Sequence, residues 1–111
     1  MLLHDFLAQI QAGEPVSFAD TIVVITENYT YTPTAFKNGN VENAAGQNEG
    51  SCKIFAFAKL HDLTPEQTLS LFGDYYRVDV LQHAQAIDHQ NIRQFMQHGW
   101  DGIVFTGCAL K

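Results

Sequence analysis

The sequence predicts an α+β fold: a helix-rich single domain of about five helices with a small antiparallel sheet. Three observations lead to this prediction. Apolar residues recur at helical spacing in several segments, "NG" at residues 38–39 is a strong hairpin signal, and "GIVF" at 102–105 resembles a short strand. The chain has 111 residues, of which 46% are hydrophobic, enough to bury one core. We therefore assign residues 1–111 to a single domain.

The first quarter of the chain predicts two helices. The apolar residues that share one face of "MLLHDFLAQIQAG" are Leu3, Phe6, Leu7 and Ile10. This segment lacks the basic start and long apolar centre of a secretory signal, so we interpret it as a helix that ends near Gly13. A second helix is favoured up to about Glu27, with Ser17 as its N-cap. The run "TIVVIT" within it has strand propensity, and a strand is the alternative.

The next segment predicts a hairpin. "YTYTPTAF" alternates aromatic and β-branched residues, and Pro33 excludes a helix interior. Asn38 and Gly39 favour a tight turn because both central residues of such a turn need positive φ. We expect the hairpin near residues 30–43 and a C-terminal strand near 102–107 that pairs with it.

A buried central helix is predicted from about Ser51 to Asp62. In "IFAFA", large and small residues alternate as in a strand, but the apolar residues cover nearly the whole helical wheel. A helix start follows at once: Thr64 can cap, Pro65 can occupy the first turn, and Gln67 can complete a capping box.

The last two helices follow from apolar stripes and their end signals. The stripe after residue 67 runs to Val80 and is interrupted by Gly73, which marks a kink or a close helix crossing. In "DHQNIRQFMQHGW", Asp88 is the expected N-cap and Gly99 the expected end of the helix.

Composition excludes several classes of function. The net charge is −6 and no basic stripe exists, so we expect no nucleic-acid partner. No apolar run approaches the ~20 residues needed to span a bilayer, so we expect no membrane insertion. The five histidines and two cysteines show no ligand spacing such as CxxC or HExxH, so we expect no metal and no cofactor. Two distant cysteines are typical of a reducing compartment.

Cys52 is the one candidate nucleophile. A thiol in the first turn of a helix meets the positive end of the helix dipole, which lowers its pKa. His89 and Asn91 could then act as base and orienting amide. The alternative, which the spacing favours, is that Cys52 is a small buried residue on the core face of its helix.

Polar residues define a candidate binding pocket. The residues assigned to it are Asn43, Asn48, Glu49, His89, Asn91 and Arg93. Arg93 could bind a carboxylate such as Glu49 or Asp74. The start of the central helix could hold a small anion through its free N–H groups, although the charge of Glu49 opposes this. The alternative is that these groups cap helices and satisfy loop backbone.

Three aromatic residues are candidate anchors for a protein partner. They are Tyr75, Tyr76 and Trp100. Aromatic residues of this kind dominate the energetics of protein interfaces.

Five segments together resemble the HopJ family of type III effector proteins, over about residues 18–105. They are "YTYTPTAFKNG", "NAAGQNEGSCKIFAFAKL", "TLSLFGDYYRVDVL", "DHQNIRQFMQHGW" and "GIVF". The resemblance implies a bacterial protein of the cytoplasm that, by the family's name, is secreted through a type III system. It implies no catalytic residues.

Two hypotheses of function follow from the resemblance and the residues together. The first is an interaction module that binds an unknown protein partner. The second is a cytoplasmic small-molecule-binding protein or enzyme with a polar pocket near Asn48, His89 and Arg93.

Overall fold

The computed structural model describes residues 2–111 and has the predicted mixed architecture of helices and one antiparallel sheet. The elements, in chain order, are α1 (Leu3–Gln11), α2 (Phe18–Asn28), β1 (Phe36–Asn38), β2 (Val41–Asn43), α3 (Glu49–Leu60), α4 (Pro65–Ser70), a π-helix (Tyr75–Val80), α5 (Gln90–His98), a 3-10 helix (Gly99–Gly102) and β3 (Ile103–Phe105). Among these residues no helix is both long enough and apolar enough to cross a bilayer.

The sheet has the strand order β2-β1-β3, and all pairs are antiparallel. β1 pairs with β2 through the hairpin and with β3 through the register Phe36 to Phe105. The chain end extends this ribbon, because the backbone of Lys111 exchanges two hydrogen bonds with Thr30. The C-terminal strand therefore joins the hairpin as predicted.

Helix α3 is the centre of the core. The side chains of Phe55 and Phe57 are fully buried. The ring of Phe55 packs against Phe36 of the sheet at 6.0 Å between centroids and against Phe95 of α5 at 4.9 Å. The prediction of a buried helix, rather than a strand, is confirmed for this segment. Burial of large apolar side chains of this kind contributes about 1.5–3 kcal/mol each.

Two of the helices begin at the capping residues that the sequence predicts. The Ser17 hydroxyl accepts a hydrogen bond from the Asp20 N–H at 3.0 Å, as an N-cap. Thr64 and Gln67 form the reciprocal capping box at the start of α4. Both caps are predicted correctly because they involve residues three apart in the sequence.

The hairpin turn lies one residue later than predicted. Asn38 is the last residue of β1 and pairs with Val41, so the turn consists of Gly39 and Asn40. Gly39 supplies the positive φ, +58°. Asn38 is instead buried, with its carboxamide bound to α5.

The helix predicted to run on to Val80 is divided at Gly73. Gly73 has a φ of +60°, and a Cβ built on it would lie 2.7 Å from the backbone N of Phe18. The close crossing of the chain at α2 therefore fits glycine alone, and a separate π-helix follows from Tyr75.

The N-cap of α5 is His89, and the prediction of Asp88 is wrong. His89 has left-handed backbone dihedral angles, φ 51° and ψ 47°, and its side chain makes no capping hydrogen bond. The carboxylate of Asp88 binds Arg93 instead. The helix ends at Gly99, as predicted, with a positive φ of 60°.

Candidate functional site

Helices α3 and α5 begin in the same way. Asn48, before α3, and His89, before α5, are both in the left-handed region, and neither side chain caps its helix. The first N–H groups of an α-helix have no partner within the helix. Within residues 2–111 the N–H groups of Gly50, Ser51 and Asn91 accordingly have no protein acceptor.

These two helix starts border one cavity of about 210 Å3. Its lining residues are Phe18, Asn48, Gly50, Ser51, Phe72, Tyr75, His89, Asn91 and Ile92. A neighbouring depression of about 260 Å3 shares Phe18, Phe72 and Tyr75 with it. We call the two together the N-terminal cleft, after the N-termini of helices α3 and α5 that border it. One end of the cleft is formed by the two helix starts. The other end combines the aromatic rings with the charged residues Asp74, Arg77 and Asp79.

Four asparagine carboxamides hold the two helix starts in place. Asn43 and Asn91 donate to each other's Oδ1 atoms at 3.1 and 3.0 Å. Asn48 Nδ2 donates to Asn43 Oδ1 at 2.7 Å, and Asn38 Nδ2 donates to the Asn91 carbonyl at 2.7 Å. The network thus joins β1, β2 and the starts of α3 and α5. Asn38, Asn43 and Asn91 are buried, and within residues 2–111 only Asn38 Oδ1 of their side-chain atoms has no hydrogen-bond partner. Buried carboxamides bonded to one another fix the relative position of the elements that carry them.

Phe18 is fixed in the aromatic wall by close approaches from two glycines. A Cβ on Gly50 would lie 2.9 Å from Phe18 Cζ, so the ring rests directly on the first turn of α3. On the other side, Gly73 approaches the backbone of Phe18. Phe18 also packs edge-on against Tyr75, with 5.0 Å between centroids.

His89 lies where the two ends of the cleft meet. Its Nε2 atom is 3.1 Å from Asp79 Oδ2, and its ring is 5.2 Å from the ring of Tyr75 between centroids. The Asp79 contact orients the imidazole, and the other ring nitrogen, Nδ1, has no hydrogen-bond partner within residues 2–111.

The structure places Glu49 and Arg93 outside the cleft. Glu49 is exposed and lies beside Tyr31, where burial and then this carboxylate raise the pKa of the phenol. Arg93 binds the Asp88 carboxylate at 2.7 Å and the Asp88 carbonyl at 2.6 Å. That guanidinium lowers the pKa of Asp88. Arg93 therefore binds neither Glu49 nor Asp74.

Cys52 is a core residue. Its side chain is 1% exposed, and its Sγ is 3.5 Å from the carbonyl oxygen of Thr34. Burial raises the pKa of the Cys52 thiol, which opposes thiolate formation. A substrate has no access to the sulfur in this position.

The three candidate aromatic anchors differ in position. Tyr75 is 44% exposed at the rim of the cleft. Tyr76 is half-buried against the core. Trp100 packs on Phe55 and donates its indole N–H to the carbonyl of Leu63 at 2.9 Å, which is a structural role. Only Tyr75 belongs to the cleft.

Sequence reasoning missed several residues of the site, among them Phe18, Gly50, Ser51, Phe72 and Asp79. Phe18 and Phe72 fit helical apolar stripes, a pattern that predicts core residues. Gly50 could have been singled out, because a glycine in the first turn of a helix is unfavourable unless something approaches closely. No group of three or more His, Cys, Asp or Glu residues in the described part of the chain could hold a metal ion.

The fold and the cleft define a small α+β domain with an open, mixed polar and aromatic site at two helix starts. The chain belongs to the HopJ family, described as HopJ type III effector protein, whose profile matches residues 3–110. No curated protein matches the chain.

A solved relative has nearly the same structure. The crystal structure of VPA0580, a protein of unknown function, is similar with a TM-score of 0.98 and 51% sequence identity. The similarity covers 100% of this chain and 93% of that one.

Proposed function

We propose that this HopJ-family protein is a binding module whose recognition site is the N-terminal cleft. The observation that carries the proposal is the convergence of two uncapped helix starts on one cavity, where the N–H groups of Gly50, Ser51 and Asn91 have no acceptor among residues 2–111. Unpaired N–H groups at a helix start favour a negatively charged or strongly polar group.

The ligand has two parts in this proposal. A carboxylate or similar anionic group lies at Gly50, Ser51 and Asn91. A flat apolar part lies against Phe18 and Tyr75. The cavity of about 210 Å3 suits a small molecule or one side chain of a partner. Because Glu49 lies beside Tyr31, outside the cavity lining, its charge opposes the anion less than the sequence suggests.

Rigidity of the site supports binding. The asparagine network fixes the polar wall before any ligand arrives, so little conformational entropy is lost on binding. Thiol chemistry has no support in this site, because Cys52 faces the core rather than the cleft.

Three matched probes test the ligand chemistry: benzoate, benzamide and benzamidine. They share a ring and differ in charge. We expect benzoate to bind most tightly, with a Kd on the order of 1 mM, about −4 kcal/mol. Isothermal titration calorimetry measures this order. Equal affinities, or tightest binding of benzamidine, would contradict an anion site.

Two variants of the π-helix test the location. Tyr75→Ala removes part of the aromatic wall and should weaken benzoate binding by about tenfold. Val78→Ala is the control, since Val78 is exposed on the same element and lies outside the cleft lining. If both substitutions change the affinity for benzoate equally, benzoate does not bind in the N-terminal cleft.

Secretion through a type III system is a second proposal, supported by the family description alone. The test is the appearance of the epitope-tagged full chain in culture medium. We expect it there only when the secretion apparatus is intact. Retention in both strains would remove secretion without affecting the proposed ligand site.

A further inference from the structure

Strand β3 has an open edge. It lies at the outside of the sheet order β2-β1-β3. The hydrogen bonds Gly39 N–H to Gly102 O and Thr106 N–H to Ala35 O set the ladder. In an antiparallel pair, the backbone N–H and C=O groups of every second residue point at the partner strand. Those of Val104 therefore point at β1, and those of Phe105 point away from it. Within residues 2–111 these two groups of Phe105 have no backbone partner.

A groove follows this edge between β3 and α3. It consists of two depressions of about 420 and about 360 Å3 that share Lys59. The first lies by Phe105 and continues to Leu110, and the second lies by Ile103 and Trp100. We call the two together the edge groove. Its course along a strand suits an extended chain rather than a compact ligand.

The walls of the edge groove are largely apolar, with Lys59 shared by both depressions and Asp62 in the smaller one. Leu60 of α3 is 52% exposed, and the Phe105 ring forms part of the opposite wall. The ammonium of Lys59 lies 5.8 Å from the centroid of the Phe105 ring. Of the described residues, only Lys59 brings a charge to the lining of the larger depression. A carboxylate placed in the larger depression meets this cation, whereas Asp62 lines the smaller depression.

The edge itself has no protection against pairing. Exposed edge strands in monomeric proteins are usually blocked by charged residues or proline. The segment from Ile103 to Cys108 contains neither. We infer that the edge groove is a docking site for an extended segment of a partner protein, which adds a strand to β3. The segment places an apolar side chain beside Leu60 and an acidic side chain at Lys59.

A second copy of this chain fits the site less well. Each copy carries a net charge of −6, so two copies repel each other. The acidic partner segment gains from Lys59, whereas edge-to-edge pairing of two copies would bring two Lys59 side chains to the same groove. Self-association is therefore the competing outcome in the experiment.

The experiment selects peptides of about ten residues from a random phage-displayed library on the full-length protein. Counter-selection uses Leu60→Asp, which places a charge in the apolar wall without disturbing buried groups. We expect the enriched peptides to alternate apolar residues and to contain an acid. The best peptide should slow hydrogen exchange of the Phe105 amide, and its N-methylated form should not.

Substitutions separate this groove from the N-terminal cleft. Lys59→Glu and Leu60→Asp should each weaken the peptide by at least about tenfold. Val23→Asp, at an exposed apolar position of α2, is the matched control and should have no effect. The proposal is overturned by the absence of enriched peptides or by amide shifts at Gly50 and Ser51 instead of Phe105. If the Phe105 amide is protected from hydrogen exchange without peptide, and more so at higher protein concentration, the edge belongs to a dimer interface and the proposal is overturned too.

Discussion

The carboxamides of Asn43 and Asn91 form a reciprocal pair, in which each side chain donates to the other's Oδ1 atom at 3.0–3.1 Å. Asn43 ends the hairpin and Asn91 lies in the first turn of α5, so the pair joins two segments 48 residues apart. Asn48 adds a third bond to the same oxygen of Asn43. Together with Asn48, the pair fixes the starts of α3 and α5 relative to the sheet.

Removal of this pair should destabilise the fold. Asn91→Ala removes the hydrogen bonds of the Asn91 carboxamide with Asn43 and Asn38. Asn38 Nδ2 keeps the Asn91 carbonyl and Asn43 Oδ1 keeps Asn48 Nδ2, so we expect a loss of about 1–3 kcal/mol in the free energy of unfolding. Gln97→Ala, at an exposed position of the same helix, should change it by less than about 0.5 kcal/mol. Urea denaturation of the two variants measures the difference. Equal midpoints would show that the network contributes little.

Gly73 and Gly46 form a matched pair for the close crossing at α2. Both have positive φ. A Cβ built on Gly73 would lie 2.7 Å from the backbone N of Phe18, whereas a Cβ built on Gly46 would have no neighbour within 4 Å. Gly46→Ala should cost about 1–2 kcal/mol from backbone strain alone. Gly73→Ala adds a steric clash, and we expect about 2–5 kcal/mol in total. Thermal unfolding tests this order, and an equal cost would contradict the crossing.

Stability should fall in mild acid because of His61. The Tyr29 hydroxyl and His61 Nε2 are 2.5 Å apart, and burial lowers the pKa of the imidazole. In the unfolded chain His61 binds a proton below about pH 6.5, whereas in the folded chain it does so only at lower pH. The free energy of unfolding therefore decreases as the pH falls below about 6.5. His61→Gln removes this contribution.

Denaturant midpoints at about pH 7.5 and about pH 5 measure the effect. The wild type and His4→Gln, a change at an exposed histidine, should lose more stability between the two values than His61→Gln does. An unchanged pH dependence in His61→Gln would refute the assignment.

The two thiols should differ in reactivity. Cys52 is buried and Cys108 is exposed. A disulfide reagent such as DTNB should modify Cys108 in the folded protein and reach Cys52 only after unfolding. Cys108→Ser should therefore react slowly in buffer and fully in denaturant. Rapid reaction of Cys52 in folded Cys108→Ser would reopen the thiol hypothesis.

Local signals explain which elements could be predicted from the sequence. The cap at Ser17 and the box of Thr64 with Gln67 depend on neighbours three residues apart, and both are found as predicted. The turn depends on a distant contact, and the α5 cap depends on a competing local contact. Asn38 is held in β1 by its bond to Asn91, which no local pattern contains. Asp88 binds Arg93 instead of capping the helix.

The candidate site was predictable only in part, for the same reason. Asn48, His89 and Asn91 each lie at a helix start, which the sequence indicates, but only the tertiary fold brings the two starts to one cavity. Glu49 adjoins Gly50 in the sequence, yet its side chain lies beside Tyr31, since successive residues of a helix point in different directions. The aromatic wall comes from α2 and from the segment after α4, which only the tertiary fold brings to this place.

The most direct test of the ligand site is a titration of the isotope-labelled protein with benzoate, followed by the amide resonances in NMR spectra. We predict that the largest shifts occur at the amides of Gly50, Ser51 and Asn91, and that benzamidine does not reproduce them. Shifts confined to the edge groove, or no saturable shift at these three amides, would contradict the N-terminal cleft as the binding site.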